Sequence, residues 1–164
     1  MQEKQVAVLG SSNPDKWTSE QAERLGGLLA TKGWTVVNGG YNGVMEDVSR
    51  GAVSAGGKVI GVTVAGIETK NLLLTEKVEK SFWERLKHLL EMPRIFFSPR
   101  GSVGSVLELA AALHKCLFLG QLTIMIAEEG DNIFDILRQL FGEVIERNVI
   151  IVHSAEEAVS RLSA

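Results

Sequence analysis

Short apolar runs alternate with longer amphipathic stretches along this whole chain, and that alternation limits the folds open to it. Val6-Ala7-Val8-Leu9, Trp34 to Val37, Val59 to Val64, Ile95-Phe96-Phe97, Leu122 to Ala127 and Val149 to Val152 read as strands. They are apolar at successive positions, as strands covered on both faces are. Between them lie helical patterns. The first carries a stripe of Ala22, Leu25, Leu28 and Leu29 that ends at Gly33, with Thr18 and Gln21 matching a capping box. Val44 to Ala55, Phe82 to Glu91 (stopped by Pro93), Val106 to Leu119, about Asn132 to Arg147, and Ala155 to Leu162 follow. Strand and helix in strict alternation predict an α/β fold, a doubly wound Rossmann-like parallel sheet flanked by helices on both faces. Ala65 to Lys80 shows neither pattern and reads either as a flap over a site or as a surface connector.

At 164 residues the chain suits one domain, 1–164, with a core of its own. A formal net charge of −3 without any Lys/Arg cluster argues against a nucleic-acid polymer as partner. The N-terminus enters a strand without the apolar core of a signal peptide, and no apolar run approaches the roughly 18 residues that span a bilayer. No membrane partner is expected, and the cytoplasm is the default compartment. Cys116 is the sole cysteine, which excludes an internal disulfide and a thiolate metal site. His88, His114 and His153 lack the spacing of a helical metal pair, so no metal is expected. His114 and Cys116 read as packing residues of an apolar helix.

Ligands of doubly wound folds lie at the carboxyl ends of strands, near a switch in strand order. Two glycine-centred loops fall at such ends. One is Gly39-Gly40-Tyr41-Asn42-Gly43-Val44-Met45; the other runs from Arg100 through Gly101, Ser102, Val103, Gly104, Ser105, Val106 and Leu107 to Glu108. In the second, the glycines permit close approach of an anion, Ser102 and Ser105 offer hydroxyls, and a helix beginning near Val106 adds its positive end. The loop lacks the lysine of a triphosphate-binding loop, so a monophosphate suits it better. Ser105-x-x-Glu108 also matches a helix-capping box, which would explain Glu108 without any ligand. Arg85, taken alone, is a solvated helix residue beside Glu84. The turn Gly10-Ser11-Ser12-Asn13-Pro14 has one glycine, unlike a dinucleotide fingerprint, and Ser11 or Ser12 is a candidate ligand contact.

Taken together the loops are more specific than either alone. Asn38 to Glu46 resembles the GGGxxGLMG motif of the LOG (Lonely Guy) family, formerly described as possible lysine decarboxylases, and Arg100 to Glu108 resembles that family's PGGxGTxxE motif. Counting back from Glu108, Arg85 falls on the arginine of the family's MxxRK segment. Leu9-Gly10-Ser11-Ser12 and Leu25-Gly26-x-x-Leu29-Ala30-x-x-Gly33 are similar to its opening turn and first helix. The resemblance implies a phosphoribohydrolase that cleaves the N-glycosidic bond of a nucleoside 5′-monophosphate, AMP or a cytokinin ribotide, to free base and ribose 5-phosphate. It implies no cofactor, and a homodimer or larger homo-oligomer with sites near subunit contacts. In that reading Glu108 stabilises an oxocarbenium-like sugar and positions water. Gly101, Ser102, Gly104 and Ser105 hold the 5′-phosphate, and Gly39, Gly40 and Gly43 shape the opposite wall. Arg85 orients Glu108 or the ribose hydroxyls, or stabilises the departing base, and keeps Glu108 ionised.

The chain departs from the family pattern at named positions. Arg100 stands for the proline, Ser102 for the second loop glycine and Ser105 for the threonine. Leu86 stands for the lysine after the arginine and Phe82 for the preceding methionine, while Asn38 and Glu46 replace the outer glycines of the first motif. These departures leave open a second class of function, a non-catalytic carrier of a nucleotide or of molybdenum cofactor on the same fold, and a third, a nucleotide sensor. Leu117, Phe118, Leu119 and the stripe Phe134, Leu137 and Phe141 are either core or subunit contact.

Overall fold

The computed structural model describes residues 4–99 and 103–162. The chain forms a seven-stranded sheet. In chain order its strands are β1 (Gln5–Leu9), β2 (Thr35–Asn38), β3 (Val59–Val64), β4 (Glu76–Lys80), β5 (Arg94–Phe97), β6 (Thr123–Ile126) and β7 (Val149–Val152). Every pairing is parallel, and the spatial order is β4-β3-β2-β1-β5-β6-β7. The chain winds outward from β1 to one edge, then returns to place β5 beside β1. The crevice above these two strands is the switch point at which such folds take ligands.

The helices are α1 (Lys16–Thr31), α2 (Val44–Ser54), α3 (Phe82–Leu90), α4 (Val103–Leu119), α5 (Ile133–Phe141), α6 (Glu143–Asn148) and α7 (Ala155–Leu162). Side chains of successive strand residues go to opposite faces. Val6, Val8, Val36, Ile95, Phe97, Ile124 and Ile126 therefore pack against residues of α1, α2 and α7, among them Leu25, Val48 and Ala158. Leu9, Val37, Val62, Phe96 and Met125 pack on the other face against Leu86, Leu89, Leu109, Leu113, Leu137 and Ile145 from α3 to α6. The fold is the doubly wound α/β sheet that the apolar runs imply.

Four local expectations change. Residues 65–80 are not patternless, because Glu76–Lys80 pairs with β3 from Ile60↔Glu76 to Val64↔Lys80. Its Glu-Lys-Val-Glu-Lys sequence hides the strand, and such charges suit a sheet edge that must not recruit another chain. α1 begins at Lys16 under an Asp15 cap that accepts from the Thr18 N–H, while Gln21 accepts from the Ala155 N–H. Thr18 and Gln21 are thus no capping box. The helix expected from Asn132 to Arg147 breaks at Gly142, whose φ of 63° is left-handed. Finally, α4 starts at Val103, earlier than Val106.

Candidate functional site

Arg85 belongs to a helix whose entry is built locally. Ser81 caps α3 and Glu84 reaches back to the Ser81 N–H, a reciprocal capping box. The buried face of this short helix carries Arg85, Leu86, Leu89 and Leu90, so the helix turns Arg85 inward with the leucines. It is 8% exposed, not a solvated residue. A buried guanidinium must satisfy its donors. Nε donates to the Val62 carbonyl at 2.8 Å, and Nη1 donates to Glu108 Oε1 at 3.2 Å.

Glu108 comes from the second turn of α4, since that helix begins at Val103. The earlier start disposes of the capping-box explanation, because Ser105 lies inside the helix instead of ahead of it. The Glu108 side chain is 13% exposed and faces the Arg85 guanidinium. Burial pushes its carboxyl above the usual carboxylate range; the charge and hydrogen bond of Arg85 pull it down without cancelling that effect. Arg85, expected to keep Glu108 ionised, does favour the charged form, but desolvation is the larger influence and opposes it.

The pair sits on the wall of a cavity of about 510 Å³ at the carboxyl end of the sheet. Gly10, Ser12, Gly104 and Ser105 form a polar part of the lining, at the β1–α1 turn and the first turn of α4. Tyr41, Val64, Ile67, Phe82, Leu86 and Leu107 form an apolar and aromatic part. Arg100, Gly101 and Ser102 lie outside the described residues. Ser11 and Ser12 divide their work. Ser12 lines the cavity, while Ser11 is buried and its Oγ accepts the Asn13 N–H at 3.0 Å, closing the turn.

The first glycine loop is a supporting wall. Gly39 lies against the guanidinium: a methyl group there would stand 2.0 Å from Arg85 Nη2 and 2.8 Å from Met45 Sδ. Gly43, with a φ of 72°, is left-handed and passes so close to the β1–α1 turn that a Cβ would meet the Ser11 carbonyl oxygen at 2.5 Å. Gly40, also left-handed, packs against Thr63. Asn38 takes the place of a glycine in the resembled motif and staples this loop. Its Oδ1 accepts the Gly40 N–H at 2.8 Å, and its Nδ2 donates to the Met45 carbonyl at 3.1 Å and to Ser49 Oγ at 3.0 Å.

Arg85 and Glu108 are thus brought together with Ser12, Gly104 and Ser105 about one cavity, with Gly39 behind them. Tyr41, Val64, Ile67 and Leu107 are lining residues to which motif reading gives no role, and Phe82, read only as a departure from the motif, lines the cavity too. Tyr41 alone left a signal, as the aromatic residue between two glycine turns. The connector 65–75 is pinned down and is no free flap. Thr69 Oγ1 donates to the Gly40 carbonyl, and Asn71 Nδ2 donates to the Tyr41 carbonyl at 3.2 Å. Among the described residues no three His, Cys, Asp or Glu side chains gather as metal ligands would, and no helix is long and apolar enough to cross a membrane.

Comparison with known proteins bears on the fold and the family. Residues 3–79 match the model of the SLOG cluster4 family, within a superfamily that includes the LOG proteins. That match holds the first glycine loop and ends before Arg85 and Glu108. An uncharacterized protein of Archaeoglobus fulgidus is 27% identical over 150 residues, 88% of this chain and 97% of its own. The molybdenum cofactor binding protein of the phototrophic bacterium Rippkaea orientalis has the same fold, with a TM-score of 0.80 at 23% identity over 99% of this chain and 97% of its own. The crystal structure of TM1055 superposes with a TM-score of 0.76 and is 30% identical over 98% of both chains. The protein belongs to one family with TM1055, and over residues 3–79 it carries the signature of the SLOG cluster4 family.

Proposed function

We propose that the protein hydrolyses the N-glycosidic bond of a nucleoside 5′-monophosphate, AMP or an N6-modified relative such as a cytokinin ribotide, in the cytoplasm and without a cofactor. The observation that carries this reading is the buried Arg85–Glu108 pair on the wall of a cavity that is also lined by Gly104 and Ser105 at the start of α4. A phosphate binder has no need of a carboxylate in such a place, where burial makes its charge costly. A glycosidase does.

The 5′-phosphate sits at the N-terminal turn of α4, where Gly104 and Ser105 present N–H groups and a hydroxyl to it, joined by Gly101 and Ser102 of the same motif. Anchored there, the sugar brings C1′ toward Glu108. The C1′–N bond breaks with its electron pair leaving on the base, and positive charge spreads over C1′ and the ring oxygen. The Glu108 carboxylate stabilises that charge and takes a proton from the water whose oxygen bonds to C1′. A proton returns to the departing base, giving free base and ribose 5-phosphate. Arg85 holds Glu108 by one hydrogen bond and leaves the second carboxylate oxygen for water. The ionised carboxylate is the working form, so turnover rises with pH through the elevated Glu108 titration.

The same proposal includes a homodimer or larger homo-oligomer. An apolar groove between α4 and α5 is lined by Val106, Leu109, Leu113, Ile136 and Leu140, with Phe118 nearby on α4 at 73% exposure. Phe141 is exposed, whereas Leu137 is core and Phe134 half-buried. The side chains of Leu117 and Leu119 lie outside those the structure describes. Sedimentation velocity that finds only monomer would remove this part.

The test of the activity is chromatographic. Purified protein is incubated with AMP and with isopentenyladenosine monophosphate, and free base is scored. Release by the native protein and none by Glu108→Gln is the expected result. A folded protein that releases no base from a panel of monophosphates would turn the reading to a carrier of a phosphate-ended cofactor, which uses Ser12, Gly104 and Ser105 alone.

A further inference from the structure

A guanidinium on a long side chain loses much freedom when held in one geometry. The hydrogen bond to Val62 and the ion pair with Glu108 leave the tilt of its plane to other contacts. The end of β2 supplies them. Pairing of β2 with β3 stops at Asn38↔Gly61, so later backbone groups on that edge of β3 need other partners. The Val62 carbonyl takes Arg85 Nε, and the Val64 N–H donates to the Tyr41 hydroxyl at 3.0 Å. Arg85 and Tyr41 thus dock side by side along the same strand end, with the guanidinium carbon 5.9 Å from the centre of the Tyr41 ring. The backbone that carries the ring is tied too. The Tyr41 carbonyl accepts from Asn71, which is buried and whose Oδ1 in turn accepts the Leu73 N–H at 3.1 Å. Gly39, without a side chain, leaves the room that the end of the guanidinium occupies.

We propose that Tyr41 is a positioning residue for the Arg85–Glu108 pair, its ring holding the guanidinium in line with the carboxylate. The contact is of the cation–π kind, with the negative face of the ring toward the charge. Its consequence for turnover rests on the phosphoribohydrolase reading; its consequence for the pair does not.

The test reads the pair without substrate. The titration of the Glu108 side-chain carbon is followed by NMR in protein labelled at glutamate. Tyr41 is replaced in turn by Phe, 3,5-difluorophenylalanine, 3,4,5-trifluorophenylalanine and Leu. Fluorine drains the ring face while nearly keeping its shape, so the series stays informative even if Tyr41→Leu does not fold. A guanidinium held less firmly offsets less of the burial of Glu108, so the midpoint should climb from Phe to difluoro to trifluoro. A midpoint that stays fixed across the folded series would reduce Tyr41 to a lining residue and overturn the proposal. Turnover supplies the second readout: kcat falls about twofold to thirtyfold along the series, with KM nearly constant. An ordered climb in midpoint in a protein that cleaves no nucleotide would uphold Tyr41 and reject the hydrolase.

Discussion

On one face of the sheet α1, α2 and α7 close over Val6, Val8, Val36, Ile95 and Phe97, and the helices are laced to one another by polar bonds. Ser19 Oγ donates to Asp47 at 2.6 Å, Arg50 pairs with both Glu23 and Asp47, and Arg24 pairs with Glu156. Among the described residues of α1, α2 and α7, Val53 is the only large apolar side chain left exposed. The face under α3 to α6 is built otherwise. It buries Leu9, Val37, Phe96 and Met125 equally well, yet it opens into the cavity and leaves Val106, Leu107, Phe118, Ile136, Leu140 and Phe141 in solvent. One face supplies stability. The other carries the costly features, a buried ion pair and an uncovered apolar strip. Such features lower the stability of an isolated chain and persist where a ligand or partner uses them.

The comparison is tested most severely at the pair itself. Glu108→Gln should lower kcat/KM by about 10²- to 10⁴-fold, and Arg85→Met by a similar factor. The double variant should lose little more than the worse single one, because a carboxylate without its guanidinium is already misplaced. Additive losses in base release would mean two independent tasks. On the sealed face the balance reverses. Leu25→Ala should cost about 2 to 5 kcal/mol in urea unfolding, while turnover per folded molecule stays unchanged. If Leu25→Ala also altered turnover, the division between the faces would fail.

Gly39→Ala lies between these cases, at the boundary of the two regions. The added methyl group meets the far end of Arg85 and the Met45 sulfur, both able to yield, so the fold should tolerate it. The guanidinium cannot yield without leaving Glu108. A displacement of about 1 Å costs on the order of 10²-fold in rate. A variant with intact melting behaviour and that loss in kcat is expected; undiminished kcat would show that Arg85 has room to spare.

The division also explains which parts of the molecule could be read from its sequence. Strands such as Val149 to Val152 and Ile95 to Phe97 are apolar on both sides and announce themselves. β4 does not, since as an edge strand only Val78 need face inward among its charges. Arg85 and Glu108 were legible as a pair only through the motif order of the resembled family: nothing in their own spacing shows that α3 turns its arginine inward. The start of α4 at Val103 removed the capping box that competed for Glu108, and a helix boundary shifted by one turn is beyond what residue preference resolves. Tyr41 escaped notice because its importance depends on β2 ending before β3 does, a fact of register and not of motif.

The smallest expected effect is one of direction, and it isolates the electrostatics of the working face. Burial raises the Glu108 carboxyl in the folded protein above its value in the unfolded chain. Between those two midpoints the folded state binds the proton more firmly than the unfolded state does, so stability falls as pH rises through that interval. Below it Glu108 is protonated in both states and has no such cost; above it the cost is complete. Glu108→Gln removes the titration while keeping an oxygen for Arg85. The stability of the native protein relative to this variant should therefore decline as pH rises through that interval and then level off. Urea unfolding of both proteins over that range measures it. A relative stability that instead rose with pH would mean that Arg85 outweighs burial, and that the carboxylate rests in a site made comfortable for its charge. The strain assigned to the working face would then have to lie elsewhere, in the exposed strip of α4 and α5.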